Sequence, residues 1–151
     1  MEDRGEIDGA RVCYEAAIAV APTYPRAWVN LSNALVLLGK TSEAIAALQR
    51  AIHLGDYAPA ELNLGNLLLQ SGQAKNALVH YRRAAELRSG WDQAQLGICL
   101  SMHAMDAPGS EQALRDTIAR HPHLVQLRLI LASRLADASA HAAIAVLEAA
   151  P

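Results

Sequence analysis

The sequence predicts an all-α protein made of stacked antiparallel helix pairs. Three observations support this fold class. Hydrophobic residues make up 52% and charged residues 19% of the 151 residues, which is typical of a globular domain. Phe is absent, and the apolar residues are mostly Ala and Leu, which are strong helix formers. The same residue types also return every 32 to 34 positions, which is the signature of a helical repeat array.

The repeat is defined by small residues, leucines and glycines that keep the same place in each unit. The glycines lie where a first helix must end, a position that favours left-handed backbone. Small residues allow paired helices to approach closely, and leucines four apart form a buried stripe. The recurring residues are Leu31-Ser32, Leu64-Gly65 and Leu96-Gly97; Leu35 and Leu68; Gly39 and Gly72; Ala44 and Ala77; and Ala51 and Ala84. A four-helix bundle is the alternative, but a bundle does not require a fixed period.

Applied to the whole chain, the apolar periodicity predicts nine helices. Their expected ranges are 6–20, 25–38, 42–54, 58–70, 74–87, 91–104, 110–120, 123–136 and 140–150. Ser42 is expected to cap the third helix. Because the number is odd, the first helix resembles the second member of a pair. Either its first member was lost or the chain is a piece of a longer array, and the second is favoured because terminal repeats normally carry polar caps.

These residues resemble the tetratricopeptide repeat, a 34-residue unit of two helices. The unit over residues 25–57 matches at Trp28, Leu31, Ser32, Leu35, Gly39, Ala44, Leu48 and Ala51, with Asp56 in place of the usual Pro. The unit over 58–89 matches at Leu64, Gly65, Leu68, Gly72, Ala77, Tyr81 and Ala84, with Glu61 at an aromatic position. The resemblance implies a right-handed α-solenoid forming one domain over residues 1–151. It would comprise a half repeat at about 5–24, these two units, and degenerate repeats at 90–122 and 123–151, the former with a lengthened inter-helix turn.

The resemblance also implies that the first helix of each unit lines a concave groove. The candidate binding residues at the groove positions are Arg26, Asn30, Asn33, Asn63, Asn66, Gln70, Trp91 and Gln95. A carboxamide both donates and accepts hydrogen bonds, which suits the alternating N–H and C=O groups of an extended peptide. The paired Asn residues are similar to the asparagine ladder of O-linked N-acetylglucosamine transferases. The alternative is that these side chains bond only within the repeats or to water.

The sequence contains no pattern typical of catalysis or of a cofactor site. No GxSxG elbow or phosphate-binding glycine loop occurs, and the six His residues lack metal-ligand spacing, so we predict no catalytic residue, metal or cofactor. The net charge of −2 disfavours nucleic acid as a partner. The basic residues Lys75, Arg82, Arg83 and Arg88 are therefore interpreted as a solvated face. Every apolar run is shorter than the roughly 18 residues that cross a bilayer, so no membrane partner is expected.

Two further features concern the partner and the compartment. Family members that bind chaperone C-termini hold the terminal carboxylate with cationic side chains. Val29, Trp91 and Gln95 occupy those places here, so no carboxylate clamp is expected. Cys13 and Cys99 are expected to be buried, reduced thiols, which makes the cytoplasm the default compartment.

The predicted function is a non-catalytic scaffold that binds a peptide or a partner protein in its concave groove. Two alternatives stay open. The chain could be the substrate-recruiting region of a larger enzyme such as a glycosyltransferase, or a homo-oligomeric scaffold that self-assembles through its repeat ends. The identity of the partner does not follow from the sequence, because a repeat scaffold specifies a groove rather than a ligand.

Overall fold

The computed structural model describes residues 4–136 and 139–149, which form nine helices and no strand. The helices are α1 Arg4–Val20, α2 Pro25–Leu37, α3 Thr41–His53, α4 Ala58–Gln70, α5 Ala74–Leu87, α6 Asp92–Ala104, α7 Ser110–Arg120, α8 Val125–Ala136 and α9 Ala140–Glu148. Each predicted helix is present, with ends within two residues of the prediction. Residue 150, the predicted end of the last helix, lies outside the described residues. None of the helices in these ranges has the length and apolar character of a membrane span.

The helices stack as a right-handed solenoid of antiparallel pairs. Each helix contacts the next along the chain, and the first helices α2, α4 and α6 also contact one another in turn. The main core runs from α2 to α6, and a smaller cluster formed by Cys99, Leu114, Leu127 and Leu131 continues it through α6, α7 and α8. The predicted leucine stripe is buried, and the predicted small residues of the second helices are fully buried: Ala44, Ala51, Ala77 and Ala84.

The turns inside the helix pairs depend on glycine at two predicted positions. Gly39 and Gly72 have φ angles of +76° and +75°, which confirms the expected left-handed backbone. The prediction for Ser42 is wrong: Lys40 is the N-cap residue of α3, and Ser42 lies inside the helix. The turn between α6 and α7 is longer than the other two, as expected, and it ends at Gly109 with φ +79°.

α1 is the least buried helix in the main part of the solenoid, and none of its residues is buried. Cys13 and Ala17 are exposed, whereas the equivalent residues of α3, Ala47 and Ala51, are 4% and 0% exposed. Helix α3 packs between α2, the first helix of its pair, and α4, whereas α1 contacts α2 and has no preceding first helix among the described residues. The prediction that Cys13 is buried is therefore wrong. Cys99 is buried as predicted, and burial raises the pKa of its thiol.

Candidate functional site

Three adjoining cavities follow the line of the first helices on one side of the solenoid. The cavity between α1 and α2 has a volume of about 270 Å³, the one between α2 and α4 about 300 Å³, and the one between α4 and α6 about 270 Å³. Asn33 lines the first two, and Asn63 and Asn66 line the last two. Because neighbouring cavities share walls, they form one continuous surface, which we call the groove.

The floor of the groove comes from one position of each second helix. Tyr14 in α1, Leu48 in α3 and Tyr81 in α5 each line one of the three cavities, and they are 34 and 33 residues apart. Leu48 is fully buried and Tyr81 is 2% exposed. Leu48 lies between α2 and α4 and Tyr81 between α4 and α6, whereas Tyr14 lies beside α2. The floor is therefore apolar in all three cavities.

Glycines on the walls make room for the ring of Tyr81. A Cβ atom on Gly65 would lie 2.9 Å from Tyr81 Cε1, and a Cβ atom on Gly97 would lie 2.3 Å from the same carbon. Real Cβ atoms do not approach this closely, so the ring fits only because both residues are glycine. Where the floor residue is Leu48, the residue equivalent to Gly65 is Ser32, which carries a Cβ. The size of the wall residue thus matches the size of the floor residue.

The four predicted asparagines lie along the groove, and the structure gives three of them hydrogen bonds. Asn63 Nδ2 donates to Asn33 Oδ1 over 3.1 Å, which joins α4 to α2. The hydroxyl of Tyr81 donates to Asn66 Oδ1 over 2.8 Å, and burial raises the pKa of Tyr81 to about 12. Asn33 and Asn66 are exposed, while Asn30 and Asn63 are half-buried. These two hydrogen bonds use one atom of each amide involved. The amide N–H groups of Asn33 and Asn66 are therefore accessible to a ligand.

Of the other four candidate residues, Gln70 lines the groove and the other three do not. Gln70 is exposed and lines the cavity between α2 and α4. Arg26 is exposed and Gln95 is half-buried, but neither lines one of the three cavities. Trp91 is half-buried against the main core, with the guanidinium carbon of Arg88 4.8 Å from its ring centroid. Trp91 therefore packs against the core and does not line any of the three cavities.

Several residues that line the groove were not predicted from the sequence. In the cavity between α4 and α6, the residues contributed by α6 are Gln93, Leu96, Gly97 and Leu100. In the cavity between α1 and α2, α1 contributes Glu6, Ile7, Ala10 and the floor residue Tyr14. Along the groove Asn33 faces Asn63, 30 residues away, and Gln93 lies a further 30 residues on. This interval is shorter than the repeat because neighbouring first helices face each other through opposite sides, so the residues in contact are not equivalent positions of the repeat. A search for polar residues 30 apart would have found Gln93.

Comparison with known families agrees with this architecture. Two family profiles, both described as Tetratricopeptide repeat, match residues 2–56 and 58–90, which together make up more than half of the chain. The chain belongs to the tetratricopeptide repeat family. No curated protein matches its sequence.

Several solved structures of this family share the fold. MamA superposes with a TM-score of 0.83 at 19% identity, over 95% of this chain and 86% of MamA. YrrB, described as a tetratricopeptide repeat protein with an unusual peptide-binding site, has a TM-score of 0.75 at 19% identity, over 95% of this chain and 74% of YrrB. An O-GlcNAc transferase of Thermobaculum terrenum has a TM-score of 0.66 at 23% identity, over 78% of this chain and 24% of the transferase. At these identities the similarity extends to the fold alone.

Proposed function

We propose that this protein is a non-catalytic scaffold that binds an extended peptide segment of a partner protein in the groove. The observation that carries the proposal is the continuity of the three cavities, whose shared walls consist of Leu37 and the amide-bearing residues Asn33, Asn63 and Asn66. Amide side chains can bond both kinds of peptide backbone group. A strand rises about 3.3 Å per residue and stacked helices lie about 10 Å apart, so each repeat would contact about three peptide residues.

The walls of the groove define the chemistry of the proposed ligand. Both cavities on either side of α4 combine amides with apolar side chains. The one between α2 and α4 carries Val36, Leu37 and Leu67 beside its amides, and the one between α4 and α6 carries Leu62, Leu96 and Leu100. We therefore expect a peptide whose backbone bonds the amides and whose apolar side chains enter the cavities on either side of α4. Burial of one such side chain would contribute about 1.5–3 kcal/mol to binding.

A peptide library tests this proposal directly. Ten-residue peptides selected on the immobilised full chain are labelled, and their affinity is measured by fluorescence anisotropy. The groove variant is Asn33→Ala combined with Asn63→Ala, which removes both partners of one hydrogen bond and so leaves neither group unpaired. The expected result is at least about tenfold weaker binding, equal to about 1.4 kcal/mol, with little change in unfolding free energy.

Gln49→Ala supplies the matched control. Gln49 is an exposed amide on α3 and does not line any of the three cavities. Peptides selected on the wild-type chain should bind this variant with unchanged affinity. Equal affinities for the wild type and the groove variant would overturn the proposal.

Two other functions are kept as alternatives: recruitment of substrates to a larger enzyme, and self-assembly. If the chain is the recruiting region of a larger enzyme, the same groove would select that enzyme's substrates, and the transferase of similar fold motivates this alternative. Self-assembly is favoured by the exposed apolar side of α1, which includes Val12, Cys13 and Ala16. A cytoplasmic location is proposed from the free thiols of Cys13 and Cys99 and is tested by cell fractionation.

A further inference from the structure

A cluster of two histidines and an aspartate lies outside the groove, where α6 begins and the turn from α7 to α8 passes beside it. His121 Nδ1 lies 2.7 Å from Asp92 Oδ1, and His123 Nε2 lies 2.6 Å from Asp92 Oδ2. One ligand atom of each residue lies within 4.8 Å of those of the other two. The residues are 29 and 31 positions apart along the chain, so only the folding of α6 beside the turn between α7 and α8 brings them together.

The backbone holds the three side chains in this arrangement. Asp92 is the first residue of α6, after Trp91 in extended backbone. The two histidines flank Pro122, whose ring restricts the turn. Two hydrogen bonds close this turn, from Leu124 N to His121 O over 3.1 Å and from Val125 N to His123 O over 3.0 Å. The ligand atoms therefore come from two short, well-defined segments rather than from long mobile loops.

The donor set suits one metal ion in particular. Zn²⁺ is bound by imidazole nitrogen and carboxylate oxygen at about 2.0–2.2 Å, and sites with two His, one carboxylate and a water molecule are established for this ion. Tetrahedral coordination at that distance separates neighbouring ligand atoms by about 3.3 Å. The two short contacts join His121 and His123 to different oxygens of Asp92. Each contact must therefore open by roughly 0.6–0.7 Å, and the side chains must turn, for one ion to bind all three residues. His123 has a side chain 59% exposed and can rotate to allow it.

We propose that Asp92, His121 and His123 bind one Zn²⁺ ion, with water as the fourth ligand. The ion would join the start of α6 to the turn between α7 and α8. This is where the repeat sequence is most degenerate, and the second core cluster in this region is smaller than the main one. A metal ion that binds only the folded state would stabilise this end of the solenoid. The site does not depend on the groove or on its ligand.

The test is a titration of the metal-free full chain with ZnCl₂, in a Cys13→Ser background because an exposed thiol is a competing zinc ligand. Isothermal titration calorimetry should give one ion per chain. Changes to residues that only support a metal ligand weaken binding about 10–100-fold. The single variants Asp92→Asn, His121→Ala and His123→Ala each lose a ligand, so they should bind at least about 100-fold more weakly.

A matched variant and a second measurement separate a metal site from a simple ion pair. His53→Ala removes a histidine of α3 that is not part of the cluster and should keep the wild-type affinity. Zn²⁺ should raise the thermal midpoint of the wild type and of His53→Ala but not that of His123→Ala. Circular dichroism checks that each variant is folded. The absence of stoichiometric binding by the wild type, or an affinity in the three cluster variants equal to that of the wild type, would show that the cluster is an ion pair only.

Discussion

Replacing Gly97 with Ala is expected to destabilise the protein because the new methyl group would collide with the ring of Tyr81. A Cβ atom at this position would lie 2.3 Å from Tyr81 Cε1, 2.4 Å from Cδ1 and 2.6 Å from Cζ. The ring is 2% exposed, and its hydroxyl donates to Asn66. Displacing the ring from Gly97 would therefore disturb its packing or its hydrogen bond to Asn66.

The expected change in unfolding free energy combines three effects. Forcing an extra methyl group into a packed core costs about 1–3 kcal/mol. Loss of the hydrogen bond from Tyr81 to Asn66 would add about 0.5–1.5 kcal/mol. Ala is about 1 kcal/mol better than Gly inside a helix, which offsets part of the cost. The net destabilisation by Gly97→Ala should thus be about 1–3 kcal/mol.

Urea denaturation followed by circular dichroism measures this change, and two other glycines serve as references. Gly9 lies inside α1 with no atom within 4 Å of an added Cβ, so Gly9→Ala should leave stability unchanged or raise it by up to about 1 kcal/mol. Gly65 would place its Cβ 2.9 Å from the ring of Tyr81, a milder clash than that of Gly97. Gly65→Ala should therefore fall between the other two variants.

A double-mutant cycle tests whether the ring of Tyr81 is the cause. Leucine at position 81 would lack the ring carbons that the added Cβ meets, as Leu48 does at the equivalent floor position. Gly97→Ala should cost at least about 1 kcal/mol less in a Tyr81→Leu background, since residues in contact are coupled. The reasoning is refuted if Gly97→Ala is as stable as the wild type, or if its cost is the same in both backgrounds.

Three further predictions concern the groove, α1 and alkaline pH. Asn66→Ala leaves the buried hydroxyl of Tyr81 without its acceptor and should destabilise the chain by about 1 kcal/mol, whereas Asn63→Ala should change urea stability by less than about 0.5 kcal/mol. If α1 mediates self-association, sedimentation should show that Val12→Asp restores the monomer while Val79→Asp, an exposed position on α5, does not. Because the pKa of Tyr81 is raised to about 12, its neutral form favours the fold below pH 10, and the wild type should lose more stability than Tyr81→Phe between pH 10 and 12.

Local patterns in the sequence determined the helices, the turns and the core. Helix propensity, a stripe of leucines and a glycine that adopts left-handed backbone all act within one repeat, so Leu31, Gly39 and Ala44 could be placed without the tertiary structure. The asparagine positions followed from the same repetition, and Asn33 and Asn63 do line the groove.

Only the stacking of the repeats decided the groove register, the exposure of Cys13 and the cluster around Asp92. Groove neighbours such as Asn33 and Asn63 lie 30 residues apart because α2 and α4 face each other through opposite sides, and which sides meet depends on how the helices pack. Cys13 has the apolar context of a buried residue, but its exposure depends on whether another helix covers α1. Asp92 and His123 meet across 31 residues through the contact between two degenerate repeats, where no sequence period marks their proximity.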